Sequence, residues 1–179
     1  MFTSAAQALP GESTETVAAW INAHPTLRPN VIDRLRVRKS NTAAQQFTFE
    51  ASVLPPGELI LVKDRGQIRK ERITFYDQIN GVTPNRLKES LRVIYGPAIY
   101  QDYQRARLVY DYPTPETVDL ARRQERPLLA AQEGELLLGE RYAYWMEVTN
   151  TDSGKAFYGH LTIFPKEYLD KLETQLRDR

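Results

Sequence analysis

The sequence contains no cysteine. This absence excludes disulfide bonds, a catalytic thiolate and zinc sites with cysteine ligands. A chain of 179 residues does not need such links, because a domain of that length is stabilised by the surface it buries. The missing cysteines do not indicate a compartment, since proteins without them function in oxidising and reducing environments alike.

Histidine is nearly as scarce, because the chain has only His24 and His160. A Ser/His/Asp type of catalytic site would have to use one of them. His24 ends a predicted helix, where packing or capping is the simpler interpretation. His160 is the better candidate, because it lies in a predicted strand beside Gly159, where a ligand could approach the backbone. The structural alternative is that a strand histidine among aromatic residues only packs.

The common motifs of cofactor and metal sites are also missing. The sequence has no nucleophile elbow, no Walker loop, no Gly-x-Gly-x-x-Gly, no His-Glu-x-x-His and no complete calcium loop. Paired carboxylates are frequent, but their spacing defines no geometry. We therefore predict no cofactor, no metal site and no catalytic residue, so a non-enzymatic protein is favoured.

The sequence also has a small net charge and lacks long apolar runs. Lysine and arginine total 24 against 23 acidic residues, a formal net charge of +1. So small a charge gives no global attraction to nucleic acid, and we expect no nucleic-acid partner. Since no apolar run approaches the roughly 20 residues of a membrane-spanning helix, we predict no transmembrane segment.

The clearest structural pattern is a β-hairpin over residues 141–164. Aromatic and β-branched residues fill both arms, and residues 150–154 are of the types that form turns. Two-residue alternation also predicts strands within 33–39, 46–54, 68–76 and 106–112, with a mostly apolar run over 59–63. The segment 33–76 is thus a β-meander. We predict two short strands, or a strand and a loop, for 128–138.

Helices are predicted where a capping residue precedes apolar residues at helical spacing. These segments are 13–24, 83–95, 114–124 and the residues that follow Pro165. Together, the patterns predict an α+β fold, with an antiparallel sheet of about six to eight strands and three to four helices packed on one face. We expect a single domain over 13–179 and a flexible N-terminus over 1–12.

The N-terminal third resembles small uncharacterised exported proteins of cyanobacteria. The similar segments are Ala8-Leu9-Pro10-Gly11-Glu12-Ser13, Trp20-Ile21-Asn22-Ala23-His24-Pro25 and Val37-Arg38-Lys39-Ser40. The resemblance implies no function, but it implies an exported location, in a periplasm or thylakoid lumen, rather than the cytoplasm. Residues 1–12 then match the end of an export signal, because Ala6-Gln7-Ala8 has the form of a cleavage site. A frayed, alanine-rich terminus is the alternative.

The middle of the chain carries a second resemblance. Its predicted helix, the Gly96-Pro97 stop and the aromatic strand that follows are similar to the repeat unit of small periplasmic assembly lipoproteins and of β-lactamase-inhibitor-like domains. That resemblance implies an alternative fold and assigns no residue a role.

Two clusters of side chains are candidates for binding. The first is basic and centres on the 33–39 strand, with further cations joining it if the meander brings the strands together; its residues are Arg28, Arg34, Arg36, Arg38, Lys39, Arg65, Arg69, Lys70 and Arg72. The second consists of tyrosines, which are common at contact surfaces; its strongest members are Tyr110, Tyr112, Tyr142, Tyr144 and Tyr158. A charge-protected edge strand and the border of a sheet are the structural alternatives.

Three functional hypotheses follow from these clusters. The leading one is a non-enzymatic protein-interaction or assembly-accessory domain that holds another protein. The second is a small-molecule-binding or hydrolytic domain centred on His160. The third is a binder of anionic ligands through Arg34, Arg36 and Arg38, which would bind more weakly as the salt concentration rises. The sequence does not indicate an oligomeric state.

Overall fold

One antiparallel sheet organises the molecule. The computed structural model describes residues 9–28, 33–57 and 62–179, and in them seven strands form a single sheet with the order β1-β2-β3-β7-β6-β5-β4. The strands are β1 (Arg36–Thr42), β2 (Gln45–Ser52), β3 (Lys70–Asp77), β4 (Arg107–Tyr112), β5 (Gln132–Leu138), β6 (Ala143–Asn150) and β7 (Ala156–Phe164). The predicted α+β class with an antiparallel sheet is therefore confirmed.

The described residues form six α-helices. They are α1 (Thr14–Ala23), α2 (Pro84–Tyr95), α3 (Pro97–Arg105), α4 (Pro115–Arg123), α5 (Pro127–Ala131) and α6 (Leu169–Arg177), the last after a 3₁₀ turn at Lys166–Tyr168. Ser13, Thr83 and Thr114 cap α1, α2 and α4 by accepting a backbone N–H through their side-chain oxygens. Proline opens α2, α3, α4 and α5, where its missing N–H costs no helical hydrogen bond.

Helices cover both faces of the sheet. On the first face, α1, α2 and α3 enclose the larger core cluster, which includes Phe49, Ile73 and Leu161. On the second face, α6 places Leu169, Leu172 and Leu176 in the smaller core cluster. The sequence predicted three to four helices on one face, including one after Pro165. In the structure, α1 to α3 lie on the first face, whereas the helix after Pro165, α6, lies on the second face, which also carries large apolar side chains.

Two segments differ from the sequence-based expectation. The stop at Gly96 ends α2 as predicted, but Pro97 then begins α3, which the sequence analysis did not anticipate. The segment 128–138 is a short helix followed by β5, not two strands or a strand and loop. A proline followed by a short apolar run fits a helical start as well as a strand, so local pattern does not separate the two.

Parts of two predictions fall outside the described residues. Most of the predicted apolar run 59–63 does so, because the structure does not describe residues 58–61. Of the predicted flexible N-terminus over 1–12, residues 1–8 lie outside the described residues. In the remainder, Leu9 is buried, and the backbone N–H of Gly11 and the carbonyl of Glu12 both hydrogen-bond to Ile68. Residues 9–12 therefore belong to the folded domain.

Candidate functional site

The strand register brings most of the predicted site residues onto the second face of the sheet. Two rows of directly paired residues cross all seven strands there. One row is Arg36, Glu50, Arg72, Thr162, Trp145, Leu136 and Tyr110. The other is Arg38, Thr48, Thr74, His160, Glu147, Gly134 and Tyr112. Since paired residues share a face, Arg36, Arg38, His160, Tyr110 and Tyr112 all lie on it.

The remaining predicted residues are distributed differently. Tyr158 lies on the second face and is 39% exposed. Tyr144 lies on the first face, is fully buried and donates its hydroxyl to Asp102 at 2.6 Å. Tyr142 precedes β6 and packs beside the larger core cluster. Arg34 lies in the turn before β1 and is exposed. The tyrosines therefore do not form one continuous surface.

The second face has an apolar half and a polar half. The cluster under α6 takes its sheet residues from β4, β5, β6 and β7, including Trp145, Leu136 and Phe164. None of its described residues comes from β1, β2 or β3. On those three strands the second-face side chains are polar or charged and are exposed or half-buried. In the described structure, α6 thus leaves this half of the sheet open.

The open half carries an excess of positive charge. We call it the basic face and define it by the cations Arg36, Arg38, Lys70 and Arg72 on the second face of β1 and β3. Among the described residues of β1 to β3, the carboxylate on this face is that of Glu50, which pairs with Arg36 at 2.6 Å. Four cations against one carboxylate leave three positive charges uncompensated on these strands.

The pKa of Lys70 supports this charge excess. Burial lowers the pKa of its amino group, and the neighbouring guanidinium of Arg72 lowers it further, while Glu50 acts in the opposite direction. A lowered pKa means that the charged form is less favoured than in water. Burial is the larger cause, and the part due to Arg72 is a repulsion between two neighbouring cations that an added anion would relieve.

Arg72 links the basic face to the apolar half. Its Nε–H donates to Oγ1 of Thr162 at 2.9 Å, and its guanidinium lies 5.2 Å from the ring centroid of Trp145. Arg179 lies 5.5 Å from the same ring and bonds Glu147 at 2.7 Å. Two guanidinium groups thus flank one indole ring, which holds Arg72 in a defined orientation.

His160 lies beside this junction and is 3% exposed. Its ring packs edge-on against Trp145 at 4.6 Å, and its Nε2 is 3.8 Å from Oε1 of Glu147. Burial first, and then the positive charge of Arg72 and other cations, hold the pKa of His160 well below its usual value. His160 is therefore neutral at physiological pH and forms a polar contact, not an ion pair, with Glu147.

The surroundings of His160 resemble a catalytic triad only in composition. Oγ1 of Thr162 lies 3.4 Å from Nδ1 of His160, on the opposite side of the ring from Glu147. However, Thr162 is fully buried and accepts the hydrogen bond from Arg72. A nucleophile must reach the substrate carbonyl, so this arrangement supports no hydrolytic step.

The described residues offer no metal centre and no membrane span. Within these ranges, no three or more histidine, aspartate or glutamate side chains are grouped so as to hold a metal ion. No helix in the same part of the chain is both long and apolar enough to cross a bilayer.

The sequence predicts the cations of the site but not the residues that surround them. Lys70 and Arg72 were expected to join the arginines of the first strand, and pairing of β2 with β3 places them there. Glu147, Trp145 and Arg179 had not been singled out. Their roles depend on the predicted hairpin pairing of β6 with β7 and also on the pairing of β7 with β3, which no local pattern indicates.

Comparison with known proteins identifies no relative of this chain. No protein-family model matches it, and neither a curated protein nor a solved structure does so. Function must therefore be inferred from the geometry of the molecule.

Proposed function

We propose that this chain is a non-enzymatic binding domain that holds an acidic segment of a partner protein on the basic face. The observation that carries this proposal is the open half of the second face, where four cations stand against the single described carboxylate of Glu50. A sheet supports these side chains, so the backbone of the site needs no reordering when a partner binds.

The spacing of the cations favours an extended acidic segment over a small anion. Arg36 and Arg38 are two residues apart on one strand, which separates their Cα atoms by about 7 Å. Arg36 and Arg72 are two strands apart, or about 10 Å. Two neighbouring arginine side chains can reach one phosphate, but four cations spread over two strands match several anionic groups better than one. Carboxylates at alternate positions of an extended polypeptide repeat at the same spacing of about 7 Å.

Polar and aromatic side chains around the cations suit the same partner. Thr48 and Thr74 lie between Arg38 and His160 in their row and offer hydroxyl groups. Tyr158, which is 39% exposed, adds a rigid ring at the next position of β7. Of the predicted tyrosines, Tyr158 is therefore the one that we assign to the contact surface.

The proposal keeps the leading hypothesis from the sequence and combines it with the third. Arg36 and Arg38 keep their predicted binding role, whereas burial of Tyr110, Tyr112 and Tyr144 argues against a tyrosine-based contact. The hydrolytic alternative at His160 has no support from the geometry, because the neighbouring hydroxyl is inaccessible. An exported location remains a prediction, since residues 1–8 lie outside the described ranges.

The proposal can be tested with fluorescein-labelled polyglutamate as the probe. Fluorescence anisotropy should show saturable binding at low salt that weakens as salt is raised. The variant Arg38→Glu should lose at least about tenfold in affinity, because reversing one cation of a cluster removes an attraction and adds a repulsion. Arg123→Glu, at an exposed position of α4, is the matched control with the same change in net charge.

The proposal is refuted by an absence of saturable polyglutamate binding, by binding that is insensitive to salt, or by equal losses in the two variants. Competition identifies the class of anion. Inorganic phosphate should compete only weakly, and duplex DNA should not exceed polyglutamate in affinity. Stronger binding of DNA would show a nucleic-acid face and overturn the assignment to an acidic protein.

A further inference from the structure

A cleft lies on the first face of the sheet, opposite the basic face. Its volume is about 400 Å³, and it lies between α2, the C-terminal ends of β1 and β3 and the N-terminal end of β2. Sites for small organic ligands commonly have volumes of about 300–1,000 Å³. The cleft is therefore large enough for a small molecule, and the sheet separates it from the surface assigned above.

The floor of the cleft is aromatic. Phe47 and Phe75 are paired across β2 and β3, and their ring centroids are 5.3 Å apart. Both are only partly buried, although they pack against the larger core cluster. On α2, Ile94 and Val93 also line the cleft, and Val93 is 54% exposed. A ligand with an apolar body would bury these surfaces.

Most of the charges along the cleft are already neutralised. Arg86 lies 4.7 Å from the ring centroid of Phe75 and bonds the buried carboxylate of Asp77 at 2.6 Å. Glu89 pairs with Arg92 at 2.9 Å. Because each of these charges has an opposite partner, neither pair attracts a charged ligand strongly.

Lys39 is different from these pairs. Lys39 lines the cleft, and its amino group donates to the backbone carbonyl of Thr26, which lines the cleft as well. A carbonyl is a neutral acceptor, and among the described residues Lys39 forms no ion pair with a carboxylate. Asn41, two residues further along β1, also lines the cleft and supplies an amide. The cleft thus combines an apolar floor with one uncompensated cation.

We propose that this cleft binds a small organic monocarboxylate whose body is aromatic or a short aliphatic chain. The apolar body would lie on Phe47 and Phe75, and the carboxylate would pair with Lys39. One uncompensated charge matches a monoanion better than a phosphate ester that carries two. The cleft is thereby a ligand site of its own, and it does not depend on the acidic partner of the basic face.

The test uses hydrocinnamate and octanoate as probes, with hydrocinnamamide and phenylpropylamine as matched neutral and cationic compounds. Isothermal titration calorimetry should show saturable binding of a carboxylate with one site per chain. The amide should bind about tenfold more weakly and the amine more weakly still, because a charge-assisted hydrogen bond is lost or replaced by repulsion.

Variants locate the site. Lys39→Gln should weaken carboxylate binding about tenfold and leave amide binding unchanged, whereas Lys39→Arg should retain most of the affinity. Val93→Trp should fill the mouth of the cleft and abolish binding of both compounds. Lys171→Gln, at an exposed position of α6, is the control and should change neither.

Failure here is distinguishable from failure of the proposed function. Lys39→Gln should leave polyglutamate binding intact, and Arg38→Glu should leave carboxylate binding intact, since the two side chains lie on opposite faces of β1. The proposal is overturned if none of the probes saturates, if carboxylate and amide bind equally, or if Val93→Trp leaves binding unchanged.

Discussion

The hydroxyl of Tyr95 donates a hydrogen bond to Oε2 of Glu71 at 2.5 Å across the core of the protein. The contact ties the last residue of α2 to the second residue of β3. Glu71 is fully buried, and its other oxygen, Oε1, has no hydrogen-bond partner in the described structure. Burial raises the pKa of Glu71 to about 8, so its carboxyl group is protonated at neutral pH.

This raised pKa makes stability fall with rising pH. The folded chain holds a proton on Glu71 that the unfolded chain releases above about pH 4.5, so the contribution is complete below that pH and is lost towards pH 8. In urea titrations, wild type should lose about 1 kcal/mol per pH unit relative to Glu71→Gln within this window. Glu133→Gln, an exposed control, should follow wild type, and parallel curves for all three would contradict the prediction.

His160 should produce the opposite dependence at lower pH. Its lowered pKa means that the folded chain keeps the ring neutral, while the unfolded chain binds a proton below about pH 6.5. The contribution is therefore present above that pH and is lost as the solution becomes more acidic. His160→Gln removes the titration, so we expect the stability difference between wild type and this variant to shrink from pH 7 to pH 5. A difference that stays constant would show that His160 does not titrate in this way.

Gly134 should not tolerate a side chain. A Cβ atom added there would overlap the hydroxyl of Tyr112 and lie 2.6 Å from the carbonyl oxygen of Met146. Gly134→Ala should therefore destabilise the fold by roughly 2–3 kcal/mol, measured by urea unfolding. At Gly66, the nearest atom is 3.2 Å away and belongs to the side chain of Asp64. Gly66→Ala should cost less than about 1 kcal/mol, and equal losses would count against a steric cause.

Asp102 should be more important for stability than the tyrosine to which it bonds. Its carboxylate accepts backbone N–H groups from residues 140–142 and the hydroxyl of Tyr144. Tyr144→Phe removes one of these bonds and should cost about 1 kcal/mol. Asp102→Ala leaves all four donors unpaired and should cost at least about 3 kcal/mol. Thermal and urea unfolding would measure the ranking, and the reverse order would refute it.

Local signals in the sequence predicted most elements of the fold. The caps Ser13, Thr83 and Thr114 mark the starts of three helices, and the turn residues at 150–154 mark the hairpin. These signals act within a few residues of one another, so no tertiary information is needed. The helix α5 has only five residues, too few for helical periodicity to be distinctive. The helix α3 is as long as α4, but it begins directly after Gly96, where the Gly-Pro pair indicated a stop.

The candidate site was predictable only in its components. Alternation along β1 places Arg36 and Arg38 on one side of the strand whatever the strand pairs with. Tyrosine, in contrast, suits both a contact surface and a core, because its ring is apolar and its hydroxyl can be satisfied inside the protein. Tyr144 finds such a partner in Asp102, which is distant in sequence.

By itself, the sequence determined the α+β class, the helix starts, the hairpin and the alternation of the arginine strand, since each follows from neighbouring residues. Only the tertiary structure decided that β7 pairs with β3, that α6 covers one half of the second face and that the other half stays open. The physical reason is that strand pairing and helix docking depend on the total surface that distant segments bury together. This buried surface cannot be predicted from neighbouring residues alone. In this protein it determines which charged residues remain accessible.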